Sequence, residues 1–476
     1  MERRTEGALM VVGIATTTSS AAKLRLGDGA RLRRYRQYQD FYDGRHFARP
    51  RNGRSNLVLN YARPIVDKGV AYLLGRGLGF SVVPAREGSK RDAARAARAE
   101  QLLYDVYWDN DLDAVDLQVA QNAGVLGDGV YKVFFDPLAG RIRCLNVDPS
   151  SFFASWAGDD PSLLRGVDVA YTLSAADLAA GGYGLTLADA TALAGGQPVE
   201  VVERWTADEL ELLVRDRSVR RGRNPYGFIP FVHVPNMQPA NQYWGQSDLI
   251  DLLPINRELD ERLSDQADLI KYHADPPVIF KGVTDHSDLA VGPGTVWDIP
   301  SDASVELLEW QGQPPSVKDH IEQVFRALYE ITETPRTAFG DSGRVLSGVA
   351  LETELRPIVQ KTFRRRVFWT RALRHRNRLI LTLAEQHGLG GARPGDYAPY
   401  RSRVIWSPLL PRDDQAEVDN NVKLVAAQLR SVRTAMDALG TESPEEEIAR
   451  ILEDRTTLGV ESGELSSLHS SGRSER

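Results

Sequence analysis

The chain has 476 residues, with 58 Lys and Arg against 65 Asp and Glu and a formal net charge of −7. Its 42% hydrophobic and 26% charged content is that of an ordinary globular protein, with length for about two to four compact units. The single cysteine, Cys144, excludes an intrachain disulfide and a thiolate-rich metal site. No apolar run is long enough to span a membrane, and the acidic balance confines any contact with DNA to something local or transient.

Residues 1–23 read as a flexible arm, because the apolar run ALMVVGIA after Glu6 is too short for a secretory signal. Residues 24–43 read as a helix, and Arg31 to Arg54 hold eight arginines among few acids. LVLNYARPIVDKGVAYLLG (57–75) predicts a helix with Pro64 in its first turn and Ile65, Val66, Val70, Leu73 and Leu74 on one face. GRGLGFSVVP (75–84) is a turn into a strand. Two helices follow, the Ala-rich 89–111 and then 112–129, stopped by Gly127 and Gly129. From Val130 the alternation of apolar and polar residues is that of a meander, turning at Asp136-Pro137 and Ala139-Gly140. More strands run through 199–216 and 228–236.

The pattern changes around Gly245. Residues 247–275 carry a helical stripe of Leu249, Leu252, Leu259, Leu263 and Ile270 on an otherwise acidic surface, with Pro254 either opening or kinking the helix. Short strands separated by Gly and Pro occupy 276–310. Residues 316–332 predict a second helix, with Ser316 and Asp319 spaced as a capping box. Two helices thus flank a small β insertion. A Gly- and Ser-bearing loop (334–348) leads into one very long helix (349–387). A strand lies within 400–414, helices within 415–440 and 443–455 close the chain, and the polar tail from 459 is expected to be flexible.

Chemistry-bearing motifs are missing. No phosphate-binding loop, H-E-x-x-H pair or G-x-S-x-G elbow occurs, and GRGLG (75–79) lacks the third glycine of a dinucleotide fingerprint. The acids along 258–268 read as a solvated face rather than a metal site. No enzymatic activity, cofactor or metal is expected. The most conspicuous segment is KTFRRRVFWTRALRHR (361–376), with seven Lys or Arg and one His. On a helical wheel Arg364, Arg371, Arg374, His375 and Arg378 share one face. Leu355, Ile358, Val359, Trp369, Leu373, Ile380 and Ala384 gather roughly opposite. A basic face can meet phosphates, or it can be solvated or paired with carboxylates on a helix packed within a domain. The broad apolar side favours packing.

The order of these elements resembles a portal protein of tailed bacteriophages, in the siphophage branch that infects mostly Gram-positive hosts. YQDFYDGRH (38–46) resembles the end of that family's N-terminal helix. NLVLNYARPIVDKGVAYLLGRGLGFSV (56–82) resembles its N-x-P-x-x-I-V-D…Y-L-x-G signature, departing from it at Ala62-Arg63. NPYGFIPFVHVPN (224–236), the stretch 245–282 and SGVALETELRPIVQKTFRRR (347–366) resemble later family segments. The resemblance implies an α+β portal architecture. Residues 1–23 would be a flexible arm, 24–245 an α/β wing, and 246–273 and 316–335 the two stem helices. Residues 274–315 would be a β-rich clip, 336–347 a tunnel loop, 348–394 a long wing helix, 395–458 a helical crown and 459–476 a flexible tail.

The same resemblance implies a homo-oligomeric ring, usually of twelve subunits, at one capsid vertex. Double-stranded DNA would pass through its axis during packaging and ejection. The partners would be the terminase large subunit, head–tail connector or adaptor proteins, and major capsid and scaffolding proteins, with assembly in the host cytoplasm and no membrane. The tunnel loop would be Arg336, Gly340, Gly343, Arg344 and Val345, its arginines touching DNA. Glu258, Glu261, Asp265 and Asp268 would line the channel and repel phosphates. Asp285, His286, Asp288 and Trp297 would offer the clip's docking surface. Phe280, Trp297, Ile299 and Trp310 could equally form the clip core. Arg364, Arg371, Arg374 and Arg378 would tie subunits or domains together. The competing readings are a DNA-processing enzyme of the packaging machinery, for which no phosphate loop or carboxylate cluster is legible, and a connector ring without a translocation role.

Overall fold

The computed structural model describes residues 19–47, 55–75, 77–181, 185–274, 278–281, 304–307, 315–341, 348–410, 414–439, 441 and 444–457. The helix expected over 24–43 is two helices, α1 (Ser20–Gly27) and α2 (Gly29–Tyr42), separated where Asp28 between two glycines adopts φ −97° and ψ 17°. In α3 (Ala62–Leu74) Pro64 occupies the first turn, where a missing N–H costs nothing. Its Ile65, Val66, Val70, Leu73 and Leu74 are all buried. After β1 (Leu78–Val82), α4 (Lys90–Asp109) starts at Ser89, whose side chain accepts from the Asp92 amide. α5 (Leu112–Leu126) ends at Gly127, with φ 100°, and a Cβ there would stand 2.8 Å from the Gly245 carbonyl oxygen.

β2 (Asp128–Asp136) and β3 (Arg141–Asn146) form a hairpin around the predicted turn. β4 (Phe152–Ala157) and β5 (Asp160–Leu173) follow, then two short helices, α6 (Ala175–Ala180) and α7 (Leu187–Ala194). β6 (Val199–Trp205), β7 (Glu209–Val214) and β8 (Arg217–Arg223) complete an antiparallel sheet in the order β4-β5-β6-β7-β8. α6 and α7 bury Leu178, Ala190 and Ala194 against Val199, Val201, Leu212 and Val214. β9 (Phe231–Pro235) leaves that sheet and pairs with β2, giving the order β3-β2-β9.

α8 (Leu252–Ala274) has Pro254 in its first turn. β10 (Val278–Lys281) and β11 (Ser304–Leu307) pair antiparallel, with Phe280 opposite Val305. α9 (Pro315–Thr332) packs on α8. It begins at Pro315, so Ser316 lies inside the first turn and is not its N-cap. A proline with no N–H to satisfy takes the first helical position instead. A short turn of 3-10 helix, Arg336–Phe339, precedes α10 (Gly348–Gln386), which is 39 residues long. β12 (Ser402–Trp406) pairs antiparallel with β1, Phe80 opposite Val404.

Contacts divide the chain after Ser407. β12, which lies within the stretch 395–458 expected as a crown, is hydrogen-bonded to β1 and belongs to the first unit. The second unit, 408–476, contains α11 (Asp414–Ala426), α12 (Val432–Ala438) and α13 (Pro444–Thr457). The core of the first unit is built around α10. Its Trp369, Leu373 and Ile380 are buried with Ile65 and Leu73 of α3, Leu103 of α4, Val119 of α5, Tyr131 of β2 and Val232 of β9. Each such side chain contributes about 1.5–3 kcal/mol by leaving water. Helices and antiparallel sheets together make the fold α+β, as the sequence predicts.

Candidate functional site

Two elements, α8 and α10, each carry four of the residues singled out from the sequence. Along α8, four side chains spaced four apart each accept a backbone N–H from the extended segment 55–61. Asn256 Oδ1 accepts from Tyr61 at 3.2 Å, Asp260 Oδ1 from Leu59 at 2.9 Å, Ser264 Oγ from Leu57 at 2.9 Å and Asp268 Oδ1 from Ser55 at 2.8 Å. The match is geometric. One i to i+4 step along a helix rises about 6 Å, and two residues of extended chain span about 6.6 Å. Asp260 is fully buried and also holds His46, whose Nδ1 lies 2.5 Å from Asp260 Oδ2 and whose ring stacks on Phe41.

The remaining acids of α8 are not a bare anionic stripe. Arg262 donates to Glu258 at 2.6 Å and to Asp265 at 3.2 Å, and His320 of α9 lies 3.2 Å from Glu258. The hydrogen bond from Arg262, then that from His320, holds the Glu258 carboxyl below its ordinary value. Glu261 is exposed. So Asp268 fastens the 55–61 segment, and Glu258 and Asp265 share a guanidinium.

On the expected tunnel loop, Arg336 is exposed and stands over the rings of Tyr329 (5.3 Å) and Phe325 (5.9 Å). Gly340 has φ 86°. Gly343, Arg344 and Val345 lie outside the described residues, as do Asp285, His286, Asp288, Trp297, Ile299 and Trp310.

The basic face of α10 is exposed at Arg364, Arg371, Arg374 and Arg378. Arg364 pairs with Glu333 at 2.5 Å, and Arg371 donates to Gln238 at 2.9 Å. The arginines that matter to the fold are three others. Arg376, fully buried, grips both oxygens of Asp116 and donates to the Tyr107 hydroxyl, between the rings of Tyr107 and Tyr131 at 4.7 and 4.6 Å. Tyr131 donates to the same carboxylate at 2.7 Å.

Arg365 and Lys361 flank buried Asp248 at 3.6 and 3.1 Å. Burial alone would raise that carboxyl, but the two cations hold it below its usual value. A Cβ on Gly69 would come within 2.8 Å of Arg365 Nη1, so a larger residue there would displace the guanidinium beside Asp248. Arg366 has no carboxylate. It donates to the carbonyls of Leu73 (3.2 Å) at the end of α3 and of Ser407 (2.9 Å), and it stacks 4.7 Å from the Trp406 ring. Burial without a counter-charge pushes its guanidinium down to about 10.

The spacing could have exposed two of these. Arg365 and Arg376 fall on the stripe of Ile358, Trp369, Leu373 and Ile380, in the middle of the apolar side of α10. Their partners Asp116 and Asp248, on distant parts of the chain, carried no sequence signal.

Other buried acids are likewise committed to donors. Asp128 accepts from Tyr35, from Gly245 N (2.7 Å) and from His233 (2.6 Å). Glu385 accepts from Tyr397 N (2.6 Å), Gly395 N (2.9 Å) and Tyr400 (2.7 Å). Among the described residues no group of three His, Cys, Asp or Glu side chains could hold a metal ion, and no helix is long and apolar enough to cross a membrane. What the geometry provides is a braced scaffold. Ionic and hydrogen-bonded struts fix α10 to α3, α5 and β12 and fix α8 to 55–61, leaving a basic helix face exposed.

No curated protein matches the chain. The family model described as Phage portal protein, SPP1 Gp6-like, matches residues 23–458, nearly the whole of it. With an α+β fold, a paired-helix element carrying a β insertion and a long helix after it, the chain belongs to the phage portal protein family.

Proposed function

We propose that this chain is the repeating unit of a ring, of twelve copies, at one vertex of a phage capsid. Double-stranded DNA enters through it during packaging and leaves through it during ejection. The observation that carries the reading is the succession of α8, the antiparallel pair β10 and β11, α9 packed back on α8, and α10 as the long strut of the first unit. In this reading α8 and α9 form the stem. The insertion 274–315 is the clip that receives the terminase large subunit and later the connector proteins. Residues 336–347 form the tunnel loop, and capsid and scaffolding proteins surround the ring.

The protein acts as structure, without catalysis. Glu261, with the partly neutralised Glu258 and Asp265, leaves a weakly anionic channel wall, which lets DNA slide where a basic lining would hold it by counterion release. Arg336 and Arg344 supply transient phosphate contacts at the loop. Negative-stain microscopy of the purified chain tests this: rings with a central hole and a narrow stalk are expected. A chain that stays monomeric under all assembly conditions, or that cleaves DNA or hydrolyses ATP, overturns it.

A further inference from the structure

Two surface features lie on different elements of the first unit, each part apolar, and are opposite in charge. The first is a groove along α10. Phe363 and Val367, 56% and 67% exposed, line an open stretch of about 600 Å³ with Trp406, Thr370, Arg371 and Arg374. Arg374 also lines the adjoining stretch of about 560 Å³, where Arg378, Arg401 and Arg403 gather. No carboxylate is in an ion pair with Arg371, Arg374, Arg378, Arg401 or Arg403 among the described residues.

The second is a knob where α4 meets α5, in YDVYWDNDLD (104–113). Trp108 is 88% exposed there, and Asp105, Asp109, Asp111 and Asp113 are exposed around it. The only cation bonded to this turn among the described residues is Arg141, which donates to the backbone carbonyl of Asp109. An aromatic ring almost wholly in water among four acids, and an apolar trough edged by arginines that pair with no carboxylate among the described residues, are each costly alone and each satisfy the other.

We propose that the Trp108 knob of one copy seats in the α10 groove of the next copy. Trp108 lies on Phe363, Val367 and Trp406, and its flanking aspartates face Arg371, Arg374 and Arg378. Knob and groove are different surfaces, so the contact is head-to-tail and propagates around a closed ring. This rests on the ring reading above and adds which surfaces close it. It also gives the exposed arginines of α10 their carboxylates, in the neighbouring copy.

The test uses the full-length chain, in which the one native thiol, Cys144, is buried. Trp108→Cys combined with Val367→Cys, assembled under mild oxidation, is expected to give disulfide-linked dimers and higher multimers on non-reducing gels. Trp108→Ala should raise the concentration needed for half-assembly by about tenfold or more, as loss of a buried interface tryptophan does. Arg374→Glu with Arg378→Glu should block assembly, and adding Asp105→Arg with Asp109→Arg in the same chain should restore it. All of these positions are exposed, so the fold tolerates the changes.

Rings that form normally while the cysteine pair stays unlinked overturn the contact but leave the ring reading intact. So does a cross-link confined to one chain, or a charge swap that fails to restore assembly. Loss of DNA binding with assembly unchanged in the Arg374→Glu, Arg378→Glu chain would assign the groove to phosphates and overturn the contact too. A wild-type chain that never forms rings overturns the ring reading and the contact together.

Discussion

Arg376 shows how a charged residue becomes part of a core. Taking a guanidinium out of water is expensive, and here the expense is offset by both oxygens of Asp116, the Tyr107 hydroxyl and two aromatic faces. Removing one partner strands the other. Arg376→Ala should cost about 3–5 kcal/mol of stability in a urea titration. A loss under about 1 kcal/mol would mean that water reaches Asp116. Glu203 makes a second case at this scale. Burial alone would raise its carboxyl, but the Lys132 ammonium at 2.6 Å, with donors from Tyr171 and Trp205, overrides that and holds it down at about 2. The folded pKa is thus below the unfolded one. The stabilisation is fully present above about pH 4.5 and is lost as pH falls towards 2, on the order of 3 kcal/mol in all. Lys132→Met should flatten the acid limb of a stability-against-pH curve, and an unchanged limb would place the acid sensitivity elsewhere.

At the scale of elements, the ladder from α8 to segment 55–61 ties together two stretches far apart in the chain. Its rungs differ in kind. Ser264→Ala removes one neutral acceptor and should cost about 1 kcal/mol. Asp260→Ala removes a buried charge that serves Leu59, Asn256 and His46 and should cost about 3 kcal/mol. Hydrogen exchange gives the specific readout: amides of 55–61 should exchange at least tenfold faster in Asp260→Ala while α10 keeps its protection. Equal loosening of both would show that Asp260 supports the whole core rather than this segment. The apolar stripe of α8 was legible from its helical period. The polar stripe was not, because Asn256, Asp260, Ser264 and Asp268 look like an ordinary wet face until the extended segment they hold is known. Asp268, named from the sequence for a channel wall, is bonded to Ser55.

At the scale of the whole molecule, the net charge of −7 conceals a strong sorting of charge. Acids and arginines in the interior cancel in struts. The outside keeps a basic groove on α10 and an acidic knob at the α4–α5 turn. A monomer has no use for such a pair, whereas a cyclic assembly uses one of each per contact. The ring predicted for the microscope and the knob-in-groove cross-link are therefore separate expectations about one assembly. The division of the chain after Ser407 also belongs to this scale: a helix-rich end follows a first unit closed by β12 on β1.

Periodicity and turn residues in the sequence were enough to determine the α+β class, the paired helices around an insertion and the single long helix after a loop, since each depends on residues a few positions apart. The order of those elements was enough to indicate the family. Tertiary structure alone decided which arginines of Arg364-Arg365-Arg366 are exposed, which acids of α8 are committed, and that Ser402–Trp406 belongs to the first unit. Those outcomes depend on partners far along the chain, at Asp248, Ser55 and Leu78–Val82. A charge reads the same in sequence whether water or a buried counter-charge solvates it, and only the fold decides which.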